Sequence, residues 1–280
     1  MLQLKKTTVV LALGCALGSC QSPIREDRSD CPATLFFEFI DSQGLQATDL
    51  MHLEAFPVLG AEGRVRDTTT VGAMDGKSYS LQVKRSDVVS VYGMACFGRS
   101  TRSGESGWVV DAGKDGDPLY RFSAKASGMD EQAVVPVEMT KEHSTIRIKF
   151  IEFDQEKNNG RFPYRVVVKG NTCGIDLYTG NPIPGPFRFL PDEGLAGVFV
   201  FTVPRQADHS LSLQLMDPAG SDDESPADTL VLWNVLKQVE GFSWDLPNLP
   251  DLSIEIDYIR SQVTVSISDW QTESFIHYPR

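Results

Sequence analysis

Short aromatic and β-branched runs, each cut off by a cluster of turn residues, recur from Thr34 to Ser268. This pattern constrains the fold most, because runs of about six residues are strand-length and too short for a stable helix. The first, Thr34-Leu35-Phe36-Phe37-Glu38-Phe39-Ile40, stops at Asp41-Ser42-Gln43-Gly44. Met51–Leu59, Ser78–Val83, Val88–Phe97, Trp108–Val110, Leu119–Ser123 and Ala133–Met139 follow, with Gly-rich turns between them. A second series opens at Ser144, where Ile146, Ile148 and Phe150 alternate with Arg147 and Lys149. Such period-two alternation marks a half-buried strand. Arg165–Lys169, Gly197–Val203, Ser210–Met216 and Thr229–Val235 continue the series. Ser253–Tyr258 and Val263–Ser268 close it as an expected hairpin, with Trp270 behind it. Only Thr48–Glu54 and Val235–Val239 suggest a turn of helix. The expected fold is therefore all-β, built as sandwiches. Two strand series of similar size imply two domains, 31–140 and 141–280, with the seam near Met139–His143. One larger sandwich is the alternative.

The first 30 residues read differently. Lys5 and Lys6 precede an apolar stretch, Thr7 to Leu17, which ends in Leu17-Gly18-Ser19-Cys20. A basic start, a short apolar middle and small residues before the cut mark a secretory signal. A cysteine at the cut is the added mark of a bacterial lipoprotein. The stretch is too short for the roughly 20 residues a membrane-spanning helix needs. Residues 1–19 are thus expected to be removed and Cys20 to carry a diacylglycerol and an acyl chain. Cys15 is the second candidate. Each buried acyl carbon contributes about 0.8 kcal/mol, so two or three chains anchor a protein effectively for good. Residues 20–30 form a polar tether with Glu26, Asp27 and Asp30 and almost nothing to bury.

The chain carries a formal charge of −12. That balance argues against nucleic acid and against adsorption on an anionic membrane, which leaves the lipid to do the anchoring. Beyond Cys15 and Cys20, the cysteines are Cys31, Cys96 and Cys173. An exported protein could bridge Cys31 to Cys96; three buried thiols are the other reading.

Catalytic signals are weak. Asp208-His209-Ser210 has the residue types of a triad, but adjacent side chains diverge and cannot form a relay. His52, His143, His209 and His277 are isolated, and no C-x-x-C is present. Asp111, Asp115 and Asp117 lie around Gly116, yet the twelfth position of a calcium loop is Phe122 rather than Glu. Asp222-Asp223-Glu224 is a second acidic loop. Trp108, Trp233, Trp244 and Trp270 are scattered, which favours core packing over a carbohydrate platform. The expectation is therefore no enzyme, no metal site, no cofactor beyond the lipid, and no small-molecule substrate.

Cys20, the tether Ile24-Arg25-Glu26-Asp27-Arg28-Ser29-Asp30, and Cys31-Pro32 entering the strand Leu35–Phe39 resemble the opening of the FimB-type fimbrial anchor lipoproteins. The strands after Met139 and the ending Ile254–Trp270 are compatible with that family. The resemblance implies two transthyretin-like β-sandwiches in tandem. It also implies an outer-membrane lipoprotein, surface-exposed at the fimbrium base, whose partners are shaft subunits. Subunits of this type join by strand addition, in which one C-terminal segment enters a neighbour's groove. Here that segment is Gln271–Arg280, with Phe275, Ile276 and Tyr278 as the expected partner-binding residues and His277 between them. One feature departs from shaft subunits, which are opened by cleavage after Arg or Lys. Arg64, Arg66, Arg99 and Arg102 all fall in expected loops without a distinguishing context. A surface glycan-binding lipoprotein or a tip adhesin is the alternative.

Overall fold

A computed structural model describes residues 27–40, 53–59, 63–64, 67–69, 78–85, 88–95, 100–103, 107–127, 130–154, 159–219, 225–257, 260, 262–267 and 273–277. Its strands in chain order are β1 (Pro32–Ile40), β2 (Leu53–Leu59), β3 (Gly63–Arg64), β4 (Asp67–Thr69), β5 (Ser78–Lys84), β6 (Val88–Ala95), β7 (Thr101–Ser103), β8 (Gly107–Val110), β9 (Tyr120–Ser127) and β10 (Gln132–Glu138). They continue as β11 (Thr140–Lys141), β12 (His143–Ile151), β13 (Arg165–Asp176), β14 (Pro182–Phe189), β15 (Val198–Pro204), β16 (Ser212–Met216) and β17 (Asp228–Val231). Among the described residues one short helix, α1 (Leu232–Leu236), precedes β18 (Leu252–Asp257), β19 (Gln262–Ile267) and β20 (Glu273–His277). The protein is all-β, as its alternating runs require.

Four sheets form two sandwiches. Sheet A has the order β10-β1-β5 and faces sheet B, β11-β9-β6-β2-β3, with β4 also on β2. Ala33, Leu35 and Phe37 project from alternate positions of β1 and pack with Val83, Val89, Val91, Phe122 and Val137. Sheet D has the order β15-β12-β18-β19-β20 and faces sheet C, β17-β16-β13-β8-β7, with β14 also on β13. Ile146, Ile148 and Phe150 on β12 meet Val166 and Val168 of β13 across that second core. Phe150 and Phe162 stack there with ring centroids 4.0 Å apart. Each large apolar side chain taken wholly out of water contributes about 1.5–3 kcal/mol, so the alternating runs alone hold the layers together.

Sheets A and D share a frame. β1 lies between antiparallel β5 and parallel β10. β12 lies in the same way between antiparallel β15 and parallel β18.

The chain leaves the first sandwich for the last time at one residue. Lys141 ends β11 in sheet B and His143 begins β12 in sheet D, with Glu142 between them. One element crosses back. The hairpin β7–β8, flanked in sequence by strands of sheet B, joins sheet C by pairing β8 with β13. Its approach depends on two glycines. A methyl on Gly107 would overlap the Ile175 carbonyl, and one on Gly174 would overlap the Trp108 carbonyl. Trp108 then joins Met94, Leu119 and Leu177 in a small third core between the sandwiches.

Several expectations change. Thr229–Val235 is not one strand: it splits at Val231, because Leu232, Val235 and Leu236 are buried at helical spacing. Arg165–Lys169 extends to Asp176. β14, Pro-Ile-Pro-Gly-Pro-Phe-Arg-Phe, was hidden by its prolines, which a strand bonded mainly to one neighbour can carry. Arg64 and Arg102 lie in β3 and β7 rather than in loops, whereas Arg66 and Arg99 lie outside the described residues.

Candidate functional site

A sandwich offers partners its sheet edges, where backbone N–H and C=O groups face outward. In a parallel pair, a residue facing its neighbour bonds to the residues before and after its partner. Thr34 N–H donates to the Glu131 carbonyl, so Ala133, Val135 and Val137 of β10 face β1. Gln132, Val134, Pro136 and Glu138 therefore face outward, and Pro136 removes a donor from the middle of that edge. Proline on an exposed edge blocks strand addition.

The β15 edge is blocked differently. Phe150 N–H donates to the Gly197 carbonyl, so alternation turns Val198, Val200, Thr202 and Pro204 outward. The Thr202 carbonyl accepts the Gly116 N–H at 2.8 Å. The Val198 carbonyl accepts the Gly194 N–H at 3.0 Å, and the Val198 N–H donates to the Leu195 carbonyl at 2.8 Å. Pro204 has no N–H, so little more than Val200 remains open.

The opposite end of sheet D is the C-terminal strand. β20 pairs antiparallel with β19, matching Thr264 with Phe275 and Val263 with Ile276. Two expected partner-binding residues thus lie on a paired strand at a sheet edge. Tyr278 and Cys20 lie outside the described residues. The expected last strand ended at Ser268, whereas the structure adds β20 beyond it. Its Ser-Phe-Ile-His run was too short to read as a strand alone.

The second notable cluster is the seam. Glu142 is 3% exposed and accepts from Arg121 Nε at 3.2 Å and from Arg205 Nε at 2.6 Å. Thr140 Oγ1 adds a third bond to its Oε1 at 3.0 Å. Arg205 reaches on to the carbonyls of Trp244, Leu246 and Pro247. The guanidinium fork suits such convergent acceptors. Nearby, Lys141 Nζ pairs with Asp251 at 2.8 Å, and Asn248 Oδ1 accepts the Lys141 N–H. β9 supplies Arg121, β15 leads into Arg205, and the chain crossing supplies Glu142, so three segments share one buried carboxylate.

His143 lies beside it, 3% exposed, with Nδ1 3.0 Å from both the amide N and the carbonyl O of Leu119. A neutral ring accepts the amide; an imidazolium could only donate to the carbonyl. Burial pushes its pKa down to about 4, the Leu119 bond opposes the shift, and the Lys141 charge adds to it. The ring is therefore neutral at pH 7. Charge and hydrogen bonding here hold two sandwiches in one relative position.

The other candidates are structural. The Asp117 carboxylate accepts the Ser100 N–H at 3.0 and 3.2 Å, which ties the entry of β7 to the 111–118 loop. Burial raises the pKa of the neighbouring Asp115 carboxyl. Asp208 accepts from the Ser210 amide and hydroxyl and from Asn171 Nδ2. The His209 ring instead lies flat on Trp233, centroids 4.2 Å apart. Trp108 and Trp244 are core residues, and Trp270 lies outside the described residues. Cys31 and Cys173 are reduced thiols, and Cys96, the other half of the expected bridge, lies outside the described residues.

No protein-family model matches the chain, and no curated protein matches it in sequence. Solved structures match its fold. The fimbrial anchor protein Mfa2 from Porphyromonas gingivalis aligns with a TM-score of 0.63 at 9% identity, covering 88% of this chain and 99% of that one. A candidate polysaccharide-binding protein from Bacteroides thetaiotaomicron gives 0.64 at 11% identity, covering 88% and 98%. A candidate adhesin from Bacteroides ovatus gives 0.61 at 12% identity, covering 88% and 95%. At such identities the likeness establishes the shared β-sandwich fold.

Proposed function

We propose that this chain is a surface-exposed outer-membrane lipoprotein at the base of a fimbrium, holding the first shaft subunit through its C-terminal strand. The observation that carries this reading is the position of β20. It is the last strand of sheet D, and the β15 and β10 edges are closed by loops or by Pro136. The fold shared with the anchor Mfa2 supports it, as does the lipoprotein signal ending at Cys20.

In this reading residues 1–19 are removed, Cys20 carries the lipid, and residues 20–30 lead from the membrane to two domains, 31–140 and 141–280, the first lending its β7–β8 hairpin to the second. The tail leaves β19 and adds to the shaft subunit. Its backbone exchanges one set of hydrogen bonds for another at little net cost. Phe275, Ile276 and Tyr278 supply the selectivity through pockets at alternate positions. Its partners are shaft subunits and, through the lipid, the outer membrane; no enzymatic step is involved. The glycan-binding alternative needs exposed aromatics on one face, but Trp108 and Trp244 are buried and His209 covers Trp233.

Deleting Gln271–Arg280 is expected to leave a folded, lipidated protein that retains much less shaft subunit on purification from detergent-solubilised outer membranes. Charged residues at Ile276 and Tyr278 should act alike, and His277→Ala much less. Undiminished retention would remove the tail as donor. Cys20→Ala should abolish acyl labelling and release the protein from the membrane, whereas Cys15→Ala should not.

A further inference from the structure

Five large apolar side chains are exposed among the described residues, and three of them, Leu190, Leu195 and Val200, fall within eleven residues around one turn. Single exposed apolar residues are ordinary, but three in so short a stretch of chain are worth a reason. Leu195 is 74% exposed although its loop is fastened. Glu193 Oε1 accepts the Phe162 N–H at 2.8 Å and the Gly197 N–H at 2.6 Å. The Leu195 carbonyl accepts the Val198 N–H at 2.8 Å. The loop thus holds the leucine in water by its own bonds. Beside it lies a cleft of about 480 Å³, lined by Gly160, Arg161, Asp192, Glu193 and Leu195. An apolar centre with a charged rim is the anatomy of a protein interface.

Strand direction says what meets it. β12 runs away from the seam, β15 runs antiparallel to it, and the loop entering β15 therefore lies at the pole far from the seam. β18 is parallel to β12, β19 antiparallel to β18, and β20 antiparallel to β19. β20 therefore also runs toward that pole, and its last residue, His277, lies there. β15 and β20 are the two edges of sheet D, four strand spacings or about 19 Å apart. One ordinary domain capping the pole spans both.

We infer that the 190–200 ledge is a second docking surface for the same shaft subunit that takes the C-terminal strand. The inference rests on the anchor reading above. The strand supplies the tether, and Leu195 seats the subunit against the pole and sets its angle.

The test compares the full-length chain with Leu195→Asp, with Val134→Asp on β10, and with the Gln271–Arg280 deletion. Retention of shaft subunit from solubilised outer membranes is measured by quantitative mass spectrometry, alongside Tm. Burying one leucine corresponds to a roughly 10- to 100-fold change in affinity. Leu195→Asp is expected to lower retention about tenfold or more with Tm unchanged, and Val134→Asp to have no effect. Full retention by Leu195→Asp alongside loss by the tail deletion overturns the ledge and keeps the anchor reading. Loss by Leu195→Asp with none by the deletion keeps the ledge and overturns the tail as donor. A wild-type chain that retains no shaft subunit overturns both. A Tm fall of several degrees in Leu195→Asp shows that the chain covers the ledge itself, and also overturns the proposal.

Discussion

β10 and β18 occupy the same place in two matching frames, each parallel to the first strand of its sandwich. β10 ends its sheet, whereas β18 is followed by β19 and β20. On β18 the outward residues Ser253, Glu255 and Asp257 keep their N–H groups and pair with Ser266, Thr264 and Gln262. On β10 the outward row contains Pro136, which has no N–H to give. One substitution type thus separates an edge that extends from one that stops. The contrast fits a molecule whose first sandwich must not recruit strands, while among the described residues β20 ends its sheet. Among the described residues, the second core gathers aromatics from β12, β14 and β15, and the first has Phe37 and Phe122.

The largest expected effect comes from uncoupling the two frames. Glu142→Ala leaves Arg121 and Arg205 facing each other without a counter-charge, at a cost of about 3–5 kcal/mol. Thermal unfolding of the variant should fall by about 10 °C and separate into two transitions, the second sandwich melting last. A drop under about 1 kcal/mol would show that the sandwiches are held by the Trp108 cluster alone.

Acid should loosen the same joint through His143. Its folded pKa of about 4 lies below the 6.5 of an ordinary histidine. The unfolded chain therefore binds the proton more readily, and stability rises with pH across that interval. The contribution is complete above about pH 6.5 and is lost as pH falls through 4, up to about 3 kcal/mol in all. Denaturant midpoints between pH 7 and 4 should show this slope, and His143→Leu should flatten it.

A smaller effect is expected from Gly174→Ala. The added methyl meets the Trp108 carbonyl, and such overpacking costs about 1–3 kcal/mol. Faster amide exchange confined to β7, β8 and the adjoining end of β13 would mark the hairpin as the element displaced. Global loss of protection would instead make the hairpin part of the second core.

The smallest effect on stability, within about 0.5 kcal/mol, should come from Pro136→Val. It restores an outward N–H to β10 and should convert a monomeric first-sandwich edge into one that self-associates. Concentration-dependent sedimentation checks it. If the variant stays monomeric, the edge is guarded by something other than Pro136.

Much of the fold was legible in the residues. Ile146, Ile148 and Phe150 announce an inward face because strand side chains alternate, and that rule acts within one run. Leu232, Val235 and Leu236 were misread because Thr229 to Val231 is β-like and the helical spacing starts only afterwards. β14 was missed because its prolines argue against a central strand. The candidate site was less legible: β20 carries only five residues in its strand, and the ledge at Leu195 has no sequence mark, since Gly-Leu-Ala-Gly reads as any loop.

The sequence by itself determined which segments are strands, which faces of them turn inward, and where Pro136 forbids pairing, because these depend on residues within one run. Only the tertiary structure decided that β8 crosses to β13, that Glu142 lies between Arg121 and Arg205, and that Leu195 and the end of β20 share a pole. Those outcomes depend on partners far away in the chain. Their backbones must approach within hydrogen-bonding distance, and no local pattern encodes which partner arrives.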